Sequence, residues 1–444
     1  MISAISRGHL SSRRRIRKPA AIVLACVMCM PAMASANVVL DWNAIAARTV
    51  LVGHSPFSQA RLMSIVQLAV FEAVNAITGE YEPYLHGDDA IAAPDGASAE
   101  AAAIAAAHRV LKTFFMSNTA IDTDRANALA AIPDGQAKID GIAVGEAAAA
   151  ALLALRANDG SSPAAFYLPT SSANGEWQTT PGCPAAELPN AGGQFYQWQD
   201  VTPFGISAPS DFLLPAPPSL TSNQYTKDYN EVKTVGDADA DSTARSADRT
   251  EVARLYAATS PAFALSMAAR QILATRDGSL AETARALALI MMGSNDSLIA
   301  SFYNKYHYNF WRPETAIQRG ATDGNAKSEG DMGYVTFITT PCFPSYPSNH
   351  ASGTNGGLEM MRRLFGAAGH DITVTNTVPA LRSLPMTTIT RHYTQLKQIA
   401  DDVDDARVYG GIHYRFDQDG GNALGRAVAT EIYKNYLRPV HPQQ

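Results

Sequence analysis

Apolar residues recur with a helical period along most of this 444-residue chain. Few segments show the alternation of apolar and polar residues that marks a half-buried strand. Ser279 and Glu282 form a capping-box pattern at the start of the longest helical segment. The sequence therefore predicts an all-α fold. The main segments with helical periodicity are residues 59–76, 98–115, 139–157, 279–311, 352–365 and 395–408.

The first 36 residues have the pattern of an export signal. A basic stretch at 13–18 is followed by an apolar run at 20–30 and by small residues at 34–36. The run is too short to span a bilayer, and the basic stretch suits either Sec or twin-arginine export. We expect an exported protein, periplasmic or secreted, with no membrane span.

A region rich in Pro, Gly and Ser, residues 158–221, separates two helical parts of the chain. Trp177 and Trp198 within it predict packed loops, because a free linker of this length would be less aromatic. The predicted organisation is a signal peptide at residues 1–36, an N-terminal helical half at 37–221 and a C-terminal catalytic half at 222–444.

Charge and cysteine content constrain the partners and the compartment. The leader holds six of the 35 basic residues and no acidic one, so the remaining chain has 29 basic and 41 acidic residues and a net charge of −12. Such a surface disfavours nucleic acid and anionic membranes as partners. Cys26 and Cys29 lie in the leader, which leaves Cys183 and Cys342 either as a disulfide or as two free buried thiols.

Three segments in the C-terminal third place basic and polar side chains at spacings suited to one tetrahedral oxyanion. Three cations supply charge, a serine and backbone amides supply further donors, and two histidines remain for the central atom and for proton transfer. The segments are KYHYNFWRP with Lys305 and Arg312, FPSYPSNH with Ser348, Asn349 and His350, and RVYGGIHYRFD with Arg407 and His413.

Spacing gives a local prediction for the first two segments. Seven residues separate Lys305 from Arg312, which would place both on one face of a helix that Pro313 ends or kinks. In the second segment, two prolines bracket a turn before a helical stretch. Ser348 and Asn349 then stand at a helix N-terminus, where amide hydrogens and the helix dipole favour an anion.

The third segment needs a break in its helix. Arg407 and His413 are six residues apart and would point in different directions on an unbroken helix, so we expect Gly410 and Gly411 to interrupt it. Asp417 follows His413 by four residues, a spacing at which its carboxylate would orient the imidazole.

The order K-x6-R-P, P-S-x-H and R-x5-H-x3-D resembles the signature of the vanadium haloperoxidase and type 2 phosphatidic acid phosphatase superfamily. The match runs from Lys305 to Asp417, and the flanking residues are similar to the chloroperoxidase branch. The resemblance implies two packed helical bundles with the catalytic site in the C-terminal one. It also implies vanadate as the cofactor.

Carried over residue by residue, the resemblance implies a division of labour at the site. His413 would be the axial ligand to vanadium and, with Lys305 and His350, a catalytic residue. His350 would be the acid and base that handles the protons of peroxide. The residues implied to bind the oxygens of vanadate are Lys305, Arg312, Ser348, Asn349 and Arg407.

Two aromatic positions and two departures bear on specificity. Phe343 stands where chloroperoxidases carry phenylalanine and bromoperoxidases histidine, whereas Phe302 stands where chloroperoxidases carry tryptophan. Asn349 replaces the commoner glycine but still offers its amide hydrogen. Ala406 replaces a serine usual in the phosphatases.

Three functions compete at this stage. The first is a vanadate-dependent peroxidase that oxidises halide with hydrogen peroxide to hypohalous acid, with or without a small organic acceptor. The second is a secreted acid phosphatase, in which His413 attacks phosphorus to give a phosphohistidine and His350 protonates the leaving alcohol. The third is a protein that binds phosphate or vanadate without turnover.

Overall fold

The computed structural model describes residues 37–50 and 53–440, and the predicted leader with Cys26 and Cys29 lies outside them. The prediction of an all-α fold is confirmed, since thirteen α-helices account for most of the described chain. The helices are α1 Val38–Val50, α2 Pro56–Thr78, α3 Ala99–Phe114, α4 Ala120–Ala130, α5 Gln136–Leu155, α6 Asn223–Val235, α7 Ala247–Ala258, α8 Pro261–Ala274, α9 Leu280–Tyr308, α10 Pro313–Arg319, α11 Asn349–Phe365, α12 Leu396–Val408 and α13 Arg415–Asn435.

One antiparallel hairpin interrupts the helices, formed by β1 (Ala368–Val378) and β2 (Thr387–Gln395). Ile372 and Val374 face the core, and threonines alternate with them on the exposed face. Hydroxyl groups of facing threonines contact each other across the strands at 3.0 Å, in the pairs Thr375–Thr390 and Thr377–Thr388. The hairpin packs on α8 and α7 and so lies beside the helices that carry the site.

The central element is α9, whose sequence is apolar on nearly all faces and which is accordingly buried almost throughout. The capping box predicted for Ser279 and Glu282 is confirmed, with both reciprocal hydrogen bonds present. Helices α2, α11 and α13 surround α9. Gly293 and Gly356 meet where α9 crosses α11, and a Cβ on Gly356 would lie 2.2 Å from the Gly293 carbonyl oxygen.

The largest apolar core contains residues from every helix except α6 and α10, whose buried side chains pack in a second cluster. Helix α2, from the predicted N-terminal half, packs against α9 of the predicted C-terminal half within the largest core. The division of the chain at residue 221 stays a prediction. Among the described residues, only α2 is long and apolar enough to cross a membrane, and 83% of its most apolar window is buried inside the protein, as in a core helix.

The Pro- and Gly-rich region at 158–221 is packed against the helices, as its tryptophans predicted. Trp177 and Trp198 are both buried. Cys183 and Cys342 form a disulfide, which answers the question that the sequence left open. This bond ties the connecting region to the loop that precedes α11, so the N-terminal part of the chain helps to hold the site.

Candidate oxyanion-binding site

Lys305 and Arg312 lie on opposite sides of a helix end. Helix α9 ends at Tyr308, and Asn309 has a left-handed backbone (φ 46°) that closes it. Arg312 is the N-cap of α10, and Pro313 begins that helix at its first position, where a missing N–H costs nothing. The prediction that one helix face carries both cations is therefore wrong. The two side chains meet because the chain turns between two helices.

Both cations are fully buried, and their protein acceptors are mainly neutral backbone carbonyl groups. Lys305 Nζ donates two hydrogen bonds and Arg312 donates two to the backbone, at 2.7 to 2.9 Å. The accepting carbonyls belong to Phe343, Pro344, Ser345 and Ile412. Carbonyl oxygens orient these side chains without neutralising them, so their positive charge is available to an anion.

Arg407 comes from the last turn of α12, which ends at Val408. Its Nη1 donates to the Tyr256 carbonyl at the end of α7, at 3.2 Å. The break predicted at the two glycines is confirmed: Gly411 has φ 82°, and a Cβ there would lie 2.4 Å from the carbonyl oxygen of Gly236. The turn places His413 between α12 and α13.

Asp417 holds the His413 ring in one orientation. The carboxylate oxygen Oδ2 of Asp417 lies 2.7 Å from His413 Nδ1 and also accepts from Ser345 Oγ at 2.6 Å and from the Tyr414 amide at 3.1 Å. Arg312 Nη1 lies 3.0 Å from His413 Nε2. This network assigns the proton to Nδ1 and leaves the lone pair on Nε2, the atom that would bind a central atom.

The predicted contact between Asp417 and His413 is present, although α13 begins only at Arg415, so the two do not share a helix face. Asp417 occupies the third position of α13, where it also caps the helix. Burial raises the pKa of Asp417 to about 6, against the lowering effect of the Ser345 hydroxyl and of nearby cations.

Helix α11 begins at Asn349, three residues earlier than its periodicity indicated. Ser348 is the N-cap: its Oγ accepts from the Ala351 amide at 3.4 Å, and its own amide donates to the Asp417 carbonyl at 2.9 Å. The first amides of this 17-residue helix have no intrahelical acceptor. The positive end of the helix therefore faces the same space as the cations.

Burial controls the protonation of every titratable group at the site. It lowers the pKa of Arg312 to about 10 and that of Arg407 to about 9, and repulsion from Arg312 adds to the effect at Arg407. The pKa of Lys305 falls well below its usual range for the same two reasons, burial first. Burial and the neighbouring cations also lower the pKa values of His350 and His413, so both imidazoles are neutral at pH 7.

Part of this site opens on a cavity of about 430 Å³. Its polar lining comes from the site residues Asn349, His350, Arg407 and His413 and from Arg254 and Thr339, and the other lining residues are apolar. Phe343 faces the cavity, and its ring centroid lies 5.3 Å from Lys305 Nζ and 5.0 Å from the Arg312 guanidinium. Phe302 is fully buried behind Phe343, with the ring centroids 5.5 Å apart, and does not line the cavity.

The donor set fits a tetrahedral oxyanion such as vanadate. Within the described chain, buried nitrogens without a protein partner include Arg312 Nη2, Arg407 Nε and Asn349 Nδ2. Three buried cations and a helix N-terminus surround them. No group of three or more His, Cys, Asp or Glu residues suited to a metal cation occurs in the same described residues. An anion of charge two or three would satisfy these donors and reverse the lowered pKa values of the cations.

Some residues of the site were not found from the sequence. Ser345, which shares the Asp417 carboxylate with His413, carries no motif of its own. Phe57 and Phe195 reach the cavity from more than a hundred residues away in the chain, and no local pattern marks them. Only a contact between distant segments identifies such residues.

Comparisons with known proteins agree with this geometry. Residues 285–442 match the family described as the VCPO second helical-bundle domain. A vanadium chloroperoxidase from Curvularia inaequalis is 25% identical over 268 residues, which are 47% of this chain and 43% of that protein. The chain thus spans less than half the length of this curated relative.

Solved structures of bacterial enzymes have the same fold. A vanadium-dependent iodoperoxidase superposes with a TM-score of 0.73 at 20% identity, covering 92% of this chain and 98% of that one. The apo form of a vanadium-dependent chloroperoxidase gives 0.68 at 16% identity, covering 86% and 94%. The resemblance to the vanadium haloperoxidases that the three motifs indicated is confirmed.

Proposed function

We propose that this chain is a vanadate-dependent peroxidase that oxidises halide with hydrogen peroxide to hypohalous acid. The observation that carries the proposal is the convergence of Lys305, Arg312 and Arg407 around His413, which lines one cavity together with Arg407 and the first residues of α11. The family match of the C-terminal residues and the names of the similar enzymes support it.

The cage binds and orients the cofactor. Vanadate held there supplies a Lewis acid that activates hydrogen peroxide towards a halide ion. Arg312 and Arg407 donate from their unpartnered nitrogens, and Ser348 and Asn349 add donors at the helix end. His413 presents Nε2 to the central atom while Asp417 keeps its other nitrogen protonated. Lys305 would donate a hydrogen bond to an oxygen atom of the bound vanadate and withdraw electron density from that oxygen.

His350 moves the proton. His350 lines the cavity and is only partly buried, whereas His413, which also lines it, is 3% exposed. The backbone groups of Tyr256 and Thr259 hold the His350 ring. Because its pKa is lowered, the imidazole is neutral at pH 7 and able to accept a proton from hydrogen peroxide.

The phosphatase alternative uses the same groups but is not favoured, because the similar proteins described above are all peroxidases. One experiment separates the two. Purified protein is loaded with orthovanadate and assayed for bromination of a halogen-trapping dye and for oxidation of chloride, bromide and iodide. The vanadate-free protein is assayed in parallel for hydrolysis of a chromogenic phosphate ester. We expect vanadate-dependent halide oxidation, and hydrolysis of the ester without any halide oxidation would refute the proposal.

We also propose that the protein works outside the cytoplasm. Residues 1–36 carry the pattern of an export signal. The disulfide between Cys183 and Cys342 supports an oxidising compartment. Cell fractionation tests this proposal: the protein is expected in the periplasm or medium, shortened at its N-terminus, and a full-length cytoplasmic protein would contradict it.

A further inference from the structure

A second cavity lies at the far ends of two helices that carry the oxyanion site. Its volume is about 540 Å³, within the range of about 300–1,000 Å³ in which proteins hold organic ligands. We call it the arginine cavity, because Arg276, Arg285 and Arg363 line it beside the first turns of α9 and the ends of α8 and α11. Along α11, Asn349 and Arg363 are about 20 Å apart at about 1.5 Å per residue. A ligand in the arginine cavity would therefore not contact vanadate.

Aromatic rings hold the guanidinium groups of two of these arginines. The guanidinium carbon of Arg276 lies 4.9 Å from the centre of the Phe365 ring, and that of Arg285 lies 4.9 Å from the centre of the Tyr81 ring. Tyr433 contacts Arg285 as well, at 5.8 Å. A ring covers the face of a guanidinium and leaves the N–H groups at its edge free to bind an oxyanion. All three rings line the cavity and also offer apolar surface to the body of a ligand.

Neither Arg276 nor Arg285 has a carboxylate partner in the part of the chain that the structure describes. Arg276 Nη2 donates to the Phe365 carbonyl at 2.9 Å, and Arg285 Nε donates to the Leu437 carbonyl at 2.5 Å. Arg285 is only 9% exposed, yet its two terminal nitrogens make no hydrogen bond to the same described residues. Because a buried cation is costly without an anion, these donors favour an anionic ligand in the cavity.

The charges of the lining limit the ligand to a small anion. Glu282 Oε2 accepts from the Ser279 amide at 2.8 Å, so this carboxylate is already used to cap α9. Arg363 donates from Nε to Glu359 Oε1 at 2.8 Å. With Asp277 and Glu282, the lining has three positive and two negative charges, whereas residues 37–444 have 29 basic and 41 acidic residues. The cavity is thus locally positive, but its two carboxylates would repel a polyanion.

We propose that the arginine cavity binds a small organic oxyanion, a carboxylate or a phosphate group carried on an apolar body. Arg285 binds the oxyanion from the interior and Arg276 binds it from the exposed edge. The rings of Tyr81, Phe365 and Tyr433 pack against the body of the ligand. This binding site is separate from the oxyanion site, and the inference does not depend on the proposed function.

Isothermal titration tests the proposal with two anionic probes. Isophthalate carries carboxylates on a flat ring, and phenylphosphonate carries a phosphate-like group that cannot be hydrolysed as an ester. Isophthalamide has the shape of isophthalate without its charge. We expect wild-type protein to bind at least one anionic probe at millimolar or lower concentration and to bind isophthalamide at least about tenfold more weakly, because the charge-assisted hydrogen bonds are lost.

Four variants locate the binding. Arg285→Gln removes a buried cation and should weaken binding about 10- to 150-fold, and Arg276→Gln removes an exposed one and should weaken it about two- to fivefold. Arg426→Gln removes the same charge from an exposed position of α13 outside the cavity and should change nothing. Arg407→Gln reports binding at the oxyanion site and should leave the affinity for the probes unchanged.

The outcomes separate the possibilities. Binding that is weakened in Arg285→Gln and Arg276→Gln but not in Arg426→Gln or Arg407→Gln supports the proposal, and the probe that binds more tightly distinguishes a carboxylate from a phosphate ligand. If Arg285→Gln does not fold, the exposed Arg276 position decides the question alone. The proposal is overturned by absence of binding, by equal affinity for isophthalamide, or by binding that only Arg407→Gln weakens.

Discussion

Replacing Arg407 with glutamine should raise the free energy of unfolding and lower the affinity for vanadate. Arg407 is buried, its Nη1 bonds a single backbone carbonyl, and its Nε has no protein partner in the described chain. The guanidinium is therefore held in the interior at a cost that only a bound anion offsets. Glutamine keeps a polar group near the Tyr256 carbonyl but removes the charge.

The magnitude follows from the pKa of Arg407, which burial lowers from the usual value of arginine to about 9. Such a displacement corresponds to at most about 5 kcal/mol of destabilisation of the charged form. Because the folded pKa lies below the unfolded one, this cost is fully present below pH 9 and is lost as the pH rises towards the usual pKa of arginine. The lost hydrogen bond and the smaller side chain cost about 2–3 kcal/mol. A net gain of about 1–3 kcal/mol remains at pH 7.

Vanadate binding should change in the opposite direction. A charge-assisted hydrogen bond contributes about 1.5–3 kcal/mol, so the variant should bind vanadate about 10- to 150-fold more weakly. The assay is thermal unfolding at pH 7 over a vanadate titration. Without vanadate the melting temperature should rise by about 1–4 °C, and the rise caused by added vanadate should be smaller than in wild type.

The control is Arg426→Gln, which removes an exposed arginine from α13 and should change neither quantity. If Arg407→Gln lowered the melting temperature of the vanadate-free protein and bound vanadate as tightly as wild type, the argument that this cation is held for an anion would be refuted.

Three further predictions follow from single features. His350→Ala should reduce halide oxidation about 10²- to 10⁴-fold while changing vanadate affinity little, because this imidazole moves protons and does not hold the anion; parallel kinetics and vanadate titration check it. Changing both Cys183 and Cys342 to serine should lower the free energy of unfolding by about 2–5 kcal/mol, because the disulfide closes a loop with a sequence separation of 159 residues. Urea unfolding measures this difference, and a reductant should lower the free energy of unfolding of the wild type but not of the variant. Burial raises the pKa of Glu72 from 4.5 to about 7, so wild-type stability is lost as pH rises through this window; Glu72→Gln should be up to about 3 kcal/mol more stable at pH 8 and similar to wild type at pH 4, and a constant difference across pH would contradict this.

The helices were the most predictable part of the fold. Periodicity located α2, α3, α5 and α12 to within a few residues, because each buries one or more faces in the core. The hairpin was missed, although Ile372 and Val374 alternate with threonines in its first strand. Its strands have 11 and 9 residues, but they form the one hairpin of the described chain, so the alternation is confined to a single region between helical segments.

The structure brings the residues of the three segments together, as the sequence predicted, but their local geometry differs from the prediction. Residue type and order identified the three segments. This identification did not depend on the helix predicted between Lys305 and Arg312, which was wrong. The spacing between Lys305 and Arg312 suited a helix, yet Asn309 adopts a left-handed conformation and ends α9 between them. The cavity could not be predicted at all, since Phe195 and Leu381 reach it through packing between distant segments.

The proposed function requires that His413 Nε2 is directed at an oxyanion held by Lys305, Arg312 and Arg407. Isothermal titration with orthovanadate, on wild type and on His413→Ala, measures this directly. We expect one vanadate per wild-type chain, affinity weakened at least about 100-fold in the variant, and loss of halide oxidation with it. Equal affinity and full turnover in His413→Ala would contradict the account.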